Sequence, residues 1–320
     1  MTTQPPAPDP DTTPWGLRPR RSRPDLIVAG SPERVLSRLV LEDENGSLWI
    51  LEEVAAGAVT QKERQAEILD RLSFSGLKSV HPYLRDRCGS WIACGKGSCR
   101  MLRPFLDGDF PERPGYAREA WRGEALGTFL AGLRRAAHSL PPEIQGLPFS
   151  LETFVGDLLE RIRRRDPAIL PELSSAVLRL RERLFPVLAR LPSAFCHGDF
   201  HPLNAIWSQR TLKSVIDWEF CGPKTEAFDA ALLMGCIGME DPQALTGSFI
   251  PAFLAGIRRE NLLSPASLSV LFELVLAVRF LWLSEWLRGR DMEMARLELD
   301  YMDLLLSEES LLREAWELPR

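Results

Sequence analysis

His197-Gly198-Asp199-Phe200-His201-Pro202-Leu203-Asn204, then Val215-Ile216-Asp217-Trp218-Glu219, is the stretch on which the reading of this chain turns. The first run is rich in glycine, proline and short polar residues, and it predicts a tight loop. Ala205 to Trp207 and Ser214 to Ile216 each read as a short strand, with a polar turn between them. Such a hairpin returns the chain to where it started. Asp217, thirteen residues beyond Asn204, is thereby brought back to the loop that carries Asp199 and Asn204.

On either side of this island the chain has a different character. From Leu26 to about Arg103 the pattern is mostly β. Val35 to Leu41 and Leu48 to Val54 read as strands joined at Asp43-Glu44-Asn45-Gly46, where Asn-Gly tolerates the positive φ of a tight hairpin. A helix is expected over 61–72, with Ala66, Ile68, Leu69 and Leu72 on its apolar face. Short strands are expected near 91–94 and 98–103. From Tyr116 onward helices are expected over 116–138, 151–165, 168–190, 226–238, 243–258, 265–288 and 291–316. Residues 1–24 hold seven of the 25 prolines and end in an arginine cluster, and read as a disordered tail. The expected organisation is α+β: a tail (1–24), a small β-rich N-lobe (25–103), a hinge (104–108) and a large helical C-lobe (109–320) with its polar loop region at 195–223.

The chain has 320 residues, of which 45% are hydrophobic and 26% charged, enough apolar material for a core in each lobe. Its net charge of −5 includes no basic excess, which argues against a nucleic-acid partner. The most apolar stretch, Leu262 to Leu287, is interrupted by Glu273, Arg279 and Glu285, so no membrane span is expected. There is no apolar leader-like segment near the start, and the six cysteines show no C-x-x-C spacing. A cytoplasmic protein with reduced thiols and no membrane partner is the expectation.

The loop fits H-x-D-x-x-x-x-N, and protein kinases use the same logic: an aspartate orients and deprotonates the acceptor hydroxyl, while an asparagine and a following aspartate hold magnesium. The run H-G-D-x-H-x-x-N with I-D-W-E behind it resembles the aminoglycoside phosphotransferase family, which includes choline-kinase-like and homoserine-kinase-like members and shares the protein-kinase fold. The resemblance covers about Leu26 to the C-terminus. It implies transfer of a phosphoryl group from ATP (or GTP), with Mg²⁺, to a hydroxyl of an unidentified small molecule. By position it implies Asp199 as catalytic base, Asn204 and Asp217 as metal ligands, and His197 and His201 as braces of the loop. It also implies Asp229 as a buried carboxylate holding that loop, and Pro104, Phe105 and Leu106 as the hinge whose backbone meets adenine.

One position departs from the family. A lysine on the third strand is expected to grip the nucleotide phosphates and pair with a glutamate on the next helix. Here the strand reads Trp49-Ile50-Leu51-Glu52-Glu53-Val54, which puts Glu52 in the lysine position. A carboxylate beside a polyphosphate is repulsive unless a cation stands between them. The expected helix acid, Glu67 or Glu63, then lacks its partner. Arg34, Arg38 or Lys62 could substitute, or the enzyme could work without the lysine. The alternative is a nucleotide-binding pseudokinase or regulatory module; Glu52 bonded to a local arginine would favour it. A protein Ser/Thr kinase ranks last, because no peptide groove is legible. The glycine-rich-loop position, Ala29 to Arg34, has a single glycine.

Gly95-Lys96-Gly97-Ser98 lacks the spacing of a phosphate-binding P-loop and reads as a hairpin turn. Trp282-Leu283-Ser284-Glu285-Trp286 reads as core, with an acceptor-pocket wall as the lesser reading. The acidic residues of the last helices read as solvated faces.

Overall fold

The structure is a computed structural model that describes residues 11–28, 35–95, 98–109 and 111–319. The loop at 29–34, Arg34 and the Lys96-Gly97 turn lie outside the described residues. The chain divides into two compact units, Met1–Phe74 with Val80–Asp107, and Ser75–Ser79 with Gly108–Arg320.

The N-terminal unit is an antiparallel sheet of five strands with one helix. The strands are β1 (Pro19–Ser22), β2 (Ser37–Asp43), β3 (Leu48–Val54), β4 (Ala93–Gly95) and β5 (Ser98–Pro104), in the order β1-β2-β3-β5-β4. The β2–β3 turn closes because the Asp43 carboxylate accepts the Asn45 and Ser47 amides and the Trp49 indole N–H, while Gly46 takes a φ of +80°. Alternation along β2, β3 and β5 gives the sheet two buried faces. On one, Leu41, Leu51 and Leu102 form a cluster covered by Trp15, Leu17, Leu39, Trp49 and Leu84. The opposite set includes Val40, Ile50, Glu52, Val54 and Met101, all buried. Helix α1 (Val59–Phe74) buries Lys62, Ala66, Ile68, Leu69 and Leu72.

Two expectations are corrected here. The second half of the presumed tail is ordered: β1 pairs with β2, the Thr12 hydroxyl donates to the Leu17 carbonyl, and the Trp15 indole donates to the Leu84 carbonyl. Its arginines also have local partners, since Arg21 and Arg23 both bind Glu42. A proline-rich segment thus becomes an edge strand because one tryptophan and one leucine cover an otherwise open sheet face. Nor are all thiols reduced. Cys94 and Cys99 are register partners across β4 and β5 and form a disulfide, whereas Cys88, Cys196, Cys221 and Cys236 are free.

The second unit is predominantly helical. Helix α2 (Ala120–Ala137) and the helix Phe249–Arg259 approach closely at glycines: a Cβ on Gly123 would lie 2.2 Å from the Phe249 carbonyl oxygen. Helix Leu271–Gly289 crosses the core, and its charges are absorbed by neighbours. Arg279 forks onto Glu298 at 2.5 and 2.8 Å, and Glu273 accepts from Arg313 at 2.6 Å. No helix among the described residues is long and apolar enough to cross a membrane. The expected 168–190 helix is instead broken at Leu184, where proline enters a separate short helix, Phe185–Leu188. Strands β6 (Ser193–Cys196), β7 (Ala205–Ser208), β8 (Thr211–Val215) and β9 (Gly222–Thr225) form two small ladders, β6 with β9 and β7 with β8. The first of these ladders was not expected.

Trp15→Ala, which uncovers the leucine cluster, is expected to cost about 1.5–3 kcal/mol. Chemical denaturation checks this, and an unchanged midpoint would show that residues 11–22 add nothing to the sheet.

Candidate active site

The loop His197–Asn204 runs from β6 to β7, and the turn Ile216–Cys221 runs from β8 to β9. Each ladder therefore clamps one end of both segments, with Cys196 opposite Gly222 and Ala205 opposite Val215. The Ile216 amide also donates to the Asn204 carbonyl at 2.9 Å. This is why Asp199, Asn204 and Asp217 come together although thirteen residues separate the last two.

Asp229 holds the start of the loop from the first turn of helix Phe228–Glu240. One carboxylate oxygen accepts the His197 amide at 2.7 Å and the other the Gly198 amide at 2.9 Å. Burial raises the Asp229 pKa, with His197 and the two amides acting in opposition. Gly198 has a φ of +87°, and a Cβ there would lie 2.2 Å from the Phe220 carbonyl oxygen. Lys224, on β9, donates to that same oxygen at 2.6 Å and closes the end of the Asp217 turn.

His197 is fully buried, and its two ring nitrogens play different parts. Nε2 lies 3.0 Å from the Ile216 carbonyl, and Nδ1 accepts the Asp199 amide at 3.2 Å. That pairing demands the neutral Nε2–H tautomer. Burial pushes the ring pKa below its ordinary 6.5, although the Asp229 and Asp199 charges pull upward. The ring packs edge-on against Trp218, with centroids 4.6 Å apart.

The Asp199 side chain is 23% exposed, so it can meet a ligand. Asn204 Nδ2 donates to its main-chain oxygen at 2.9 Å and to Oδ2 at 3.2 Å. His201 Nε2 lies 3.7 Å from Oδ1. Burial works to raise this carboxyl, but the His201 contact, the neighbouring imidazoles and the Asn204 bond outweigh it, leaving its pKa below the ordinary value. His201 in turn meets Trp282 edge-on at 5.8 Å, and Trp282 stacks on Trp286. Asn204 is buried on a 3₁₀ turn, and both of its bonds to Asp199 run through Nδ2. Asp217 adopts left-handed backbone, φ +66° and ψ +59°, a conformation that aspartate tolerates and that re-aims the chain after β8. Asn204 Oδ1 and the Asp217 carboxylate are hard oxygen donors of the kind Mg²⁺ takes when substrate phosphates and water complete its shell. A cage of three or more His, Cys, Asp or Glu does not occur among the described residues, and such a site does not require one.

In the N-terminal unit Glu52 lies on β3 and is 1% exposed. Arg103 Nε and Nη2 donate to Oε1 at 3.1 and 3.0 Å, Arg38 Nε stands 3.2 Å from the same oxygen, and the Tyr83 hydroxyl donates to Oε2 at 2.8 Å. Burial pushes Glu52 up, but Arg103, Arg38 and Lys62 outweigh it and hold the carboxyl below its ordinary value. Of the two candidate helix acids, Glu67 pairs with Arg71 at 2.8 Å and Glu63 is exposed. Lys62 is the buried charge that α1 presents instead. Reading the sequence singled out Arg38 and Lys62 but missed Arg103 and Tyr83. Arg103 shares the β-face of Met101, which lies opposite Glu52, and that alternation was the available signal. Pro104 closes β5 opposite Trp49, and the Phe105 amide donates to the Leu48 carbonyl, so the hinge position begins inside the sheet.

The profile of the phosphotransferase enzyme family matches residues 36–265, and the chain belongs to that family. It is 28% identical over 226 residues to a homoserine kinase of Bradyrhizobium sp. (strain BTAi1), a match spanning 69% of this chain and 67% of that one. Among solved structures it is similar to a microcompartment-associated aminopropanol kinase, with a TM-score of 0.70, 16% identity, and 94% and 96% of the two chains covered. It is also similar to an amicoumacin kinase in complex with AMP-PNP and Ca²⁺, with a TM-score of 0.58, 19% identity and 87% and 90% covered. The fold is thus that of the small-molecule kinases: a small antiparallel sheet unit followed by a helical one.

Gly198→Ala is expected to cost about 1–3 kcal/mol from its positive φ alone, before the clash with Phe220; an undiminished melting temperature would contradict the loop geometry. His197 sets a pH dependence. Its folded pKa is lowered, so the unfolded chain binds more protons and stability falls as pH drops below about 6.5. Melting curves between pH 7.5 and 5.5 test this, with His197→Gln expected to flatten the slope.

Proposed function

We propose that this protein transfers the γ-phosphoryl group of ATP or GTP to a hydroxyl of a small, amine-bearing molecule, with Mg²⁺ required. The observation that carries the reading is Asp199: its side chain is partly exposed, its carboxyl is held below its ordinary pKa and bonded by Asn204, and its amide is bonded to the His197 ring. An ionised carboxylate whose second oxygen is already bonded is suited to orient an acceptor O–H and take its proton. The acceptor oxygen forms a bond to the γ-phosphorus, the bond to the β-phosphate oxygen breaks, the nucleoside diphosphate leaves, and the hydroxyl proton passes to Asp199. Asn204 and Asp217 would hold the metal, which supplies charge neutralisation at the phosphates when bound. The amine-bearing acceptor class rests on the homoserine and aminopropanol kinases to which the chain is similar.

A second reading has one observation in its favour. Glu52 is bonded to a local arginine, as a nucleotide-binding pseudokinase would have it. The two readings part at turnover. Asp199→Asn is expected to lower the rate of phosphate transfer by about 10²–10⁴-fold while nucleotide affinity stays within about threefold. Asp217→Ala is expected to abolish the Mg²⁺-dependent part of nucleotide binding. Both are measured by calorimetry and a coupled ADP assay against L-homoserine, ethanolamine and 1-amino-2-propanol. Full turnover in Asp199→Asn would remove the base assignment.

A further inference from the structure

We infer that Arg103, with Arg38 beside it, is the cation that binds the nucleotide phosphates in this protein, and that Glu52 is the residue that positions it. The inference rests on the phosphotransferase reading above.

The Glu52 carboxylate is almost wholly covered, whereas the Arg103 and Arg38 side chains keep 15% and 12% of their surface. Of the three side chains the carboxylate is the least accessible and the two arginines are the more accessible. A phosphate approaching this face of the sheet meets the arginines before it meets the acid, which answers the repulsion that Glu52 would otherwise exert. Orientation comes next. Arg103 lends Nε and Nη2 to Oε1, Arg38 reaches the same oxygen from the opposite strand, and Tyr83 pins Oε2. With both carboxylate oxygens engaged, the plane of the Arg103 guanidinium is set. A planar, permanently charged fork held in one orientation suits phosphate recognition. Here the strand carries the acid and α1 carries the buried base, Lys62, whose charge acts on Glu52. The strand–helix attraction is kept with its signs reversed, and the cation facing outward is an arginine from the neighbouring strand. Stability alone gives little reason for the arrangement, because buried ion pairs seldom outperform apolar packing of the same volume.

The test is calorimetric titration of the full chain with AMP-PNP and Mg²⁺, and with adenosine as the phosphate-free control. Glu52→Gln keeps the shape of the acid but loosens its hold on the fork; AMP-PNP is expected to bind equally or more weakly. The double variant Glu52→Gln/Arg103→Met removes both partners of the Arg103 pair and leaves Arg38 and Lys62 as the cations of the cluster. It is expected to bind AMP-PNP about tenfold or more weakly than Glu52→Gln alone, with adenosine unchanged. Arg103→Lys is expected to fall between wild type and the double variant. Tighter AMP-PNP binding in Glu52→Gln would identify the acid as a blocker and overturn the inference. So would a double variant equal to Glu52→Gln, or parallel losses for AMP-PNP and adenosine. Any of these outcomes with wild-type binding intact overturns this inference alone; a wild type that binds no nucleotide overturns the phosphotransferase reading with it.

Discussion

The site depends on one buried carboxylate that never needs to touch a substrate. Asp229 gives one oxygen to the His197 amide and the other to the Gly198 amide, and so determines where the loop begins. The rest follows in sequence. Gly198 must take a positive φ to present its N–H, and the space beside it is closed by the Phe220 carbonyl. The His197 ring then turns inward, where the Ile216 carbonyl and the Asp199 amide require it to be neutral. Asp199 is left with its carboxylate at the surface and Asn204 bonded behind it. Two unpaired buried amides would each carry a desolvation cost of about 1–3 kcal/mol, so the constraint is a strong one.

The two-unit α+β organisation was legible in the sequence because it is written in periodicity: period-two runs at Val35–Leu41 and Leu48–Val54, and long helical patterns from Tyr116 onward. The convergence of Asp199, Asn204 and Asp217 was legible because loop, hairpin and spacing are local. What escaped depends on partners distant in sequence. Pro19–Ser22 has the composition of a tail, and only the open leucine face beneath Trp15 makes it a strand. The β6–β9 ladder joins segments nearly thirty residues apart, each only four residues long, too short for a period to declare itself. The Cys94–Cys99 link follows from strand register, which spacing alone does not reveal.

Glu52 shows both sides of this limit. The sequence marked it as the wrong charge in a position of consequence, and Lys62 and Arg38 as nearby cations. It did not show that Arg103, half a lobe away along the chain, would fork onto the same oxygen, or that Tyr83 would close the other. A one-dimensional reading could therefore treat the acid only as a lesion. In three dimensions it is the centre of a cationic cluster whose members come from β2, β5 and α1.

The central claim, that the protein moves phosphate to a small-molecule hydroxyl, is tested most directly by phosphorus NMR. Purified protein is incubated with ATP, Mg²⁺ and each amine-bearing alcohol in turn, beside an acceptor-free control. The account predicts a new phosphomonoester resonance with at least one acceptor, growing in step with ADP and absent in the control. Nucleotide bound with Mg²⁺ but no phosphoester formed with any acceptor would contradict it and identify a binding module instead.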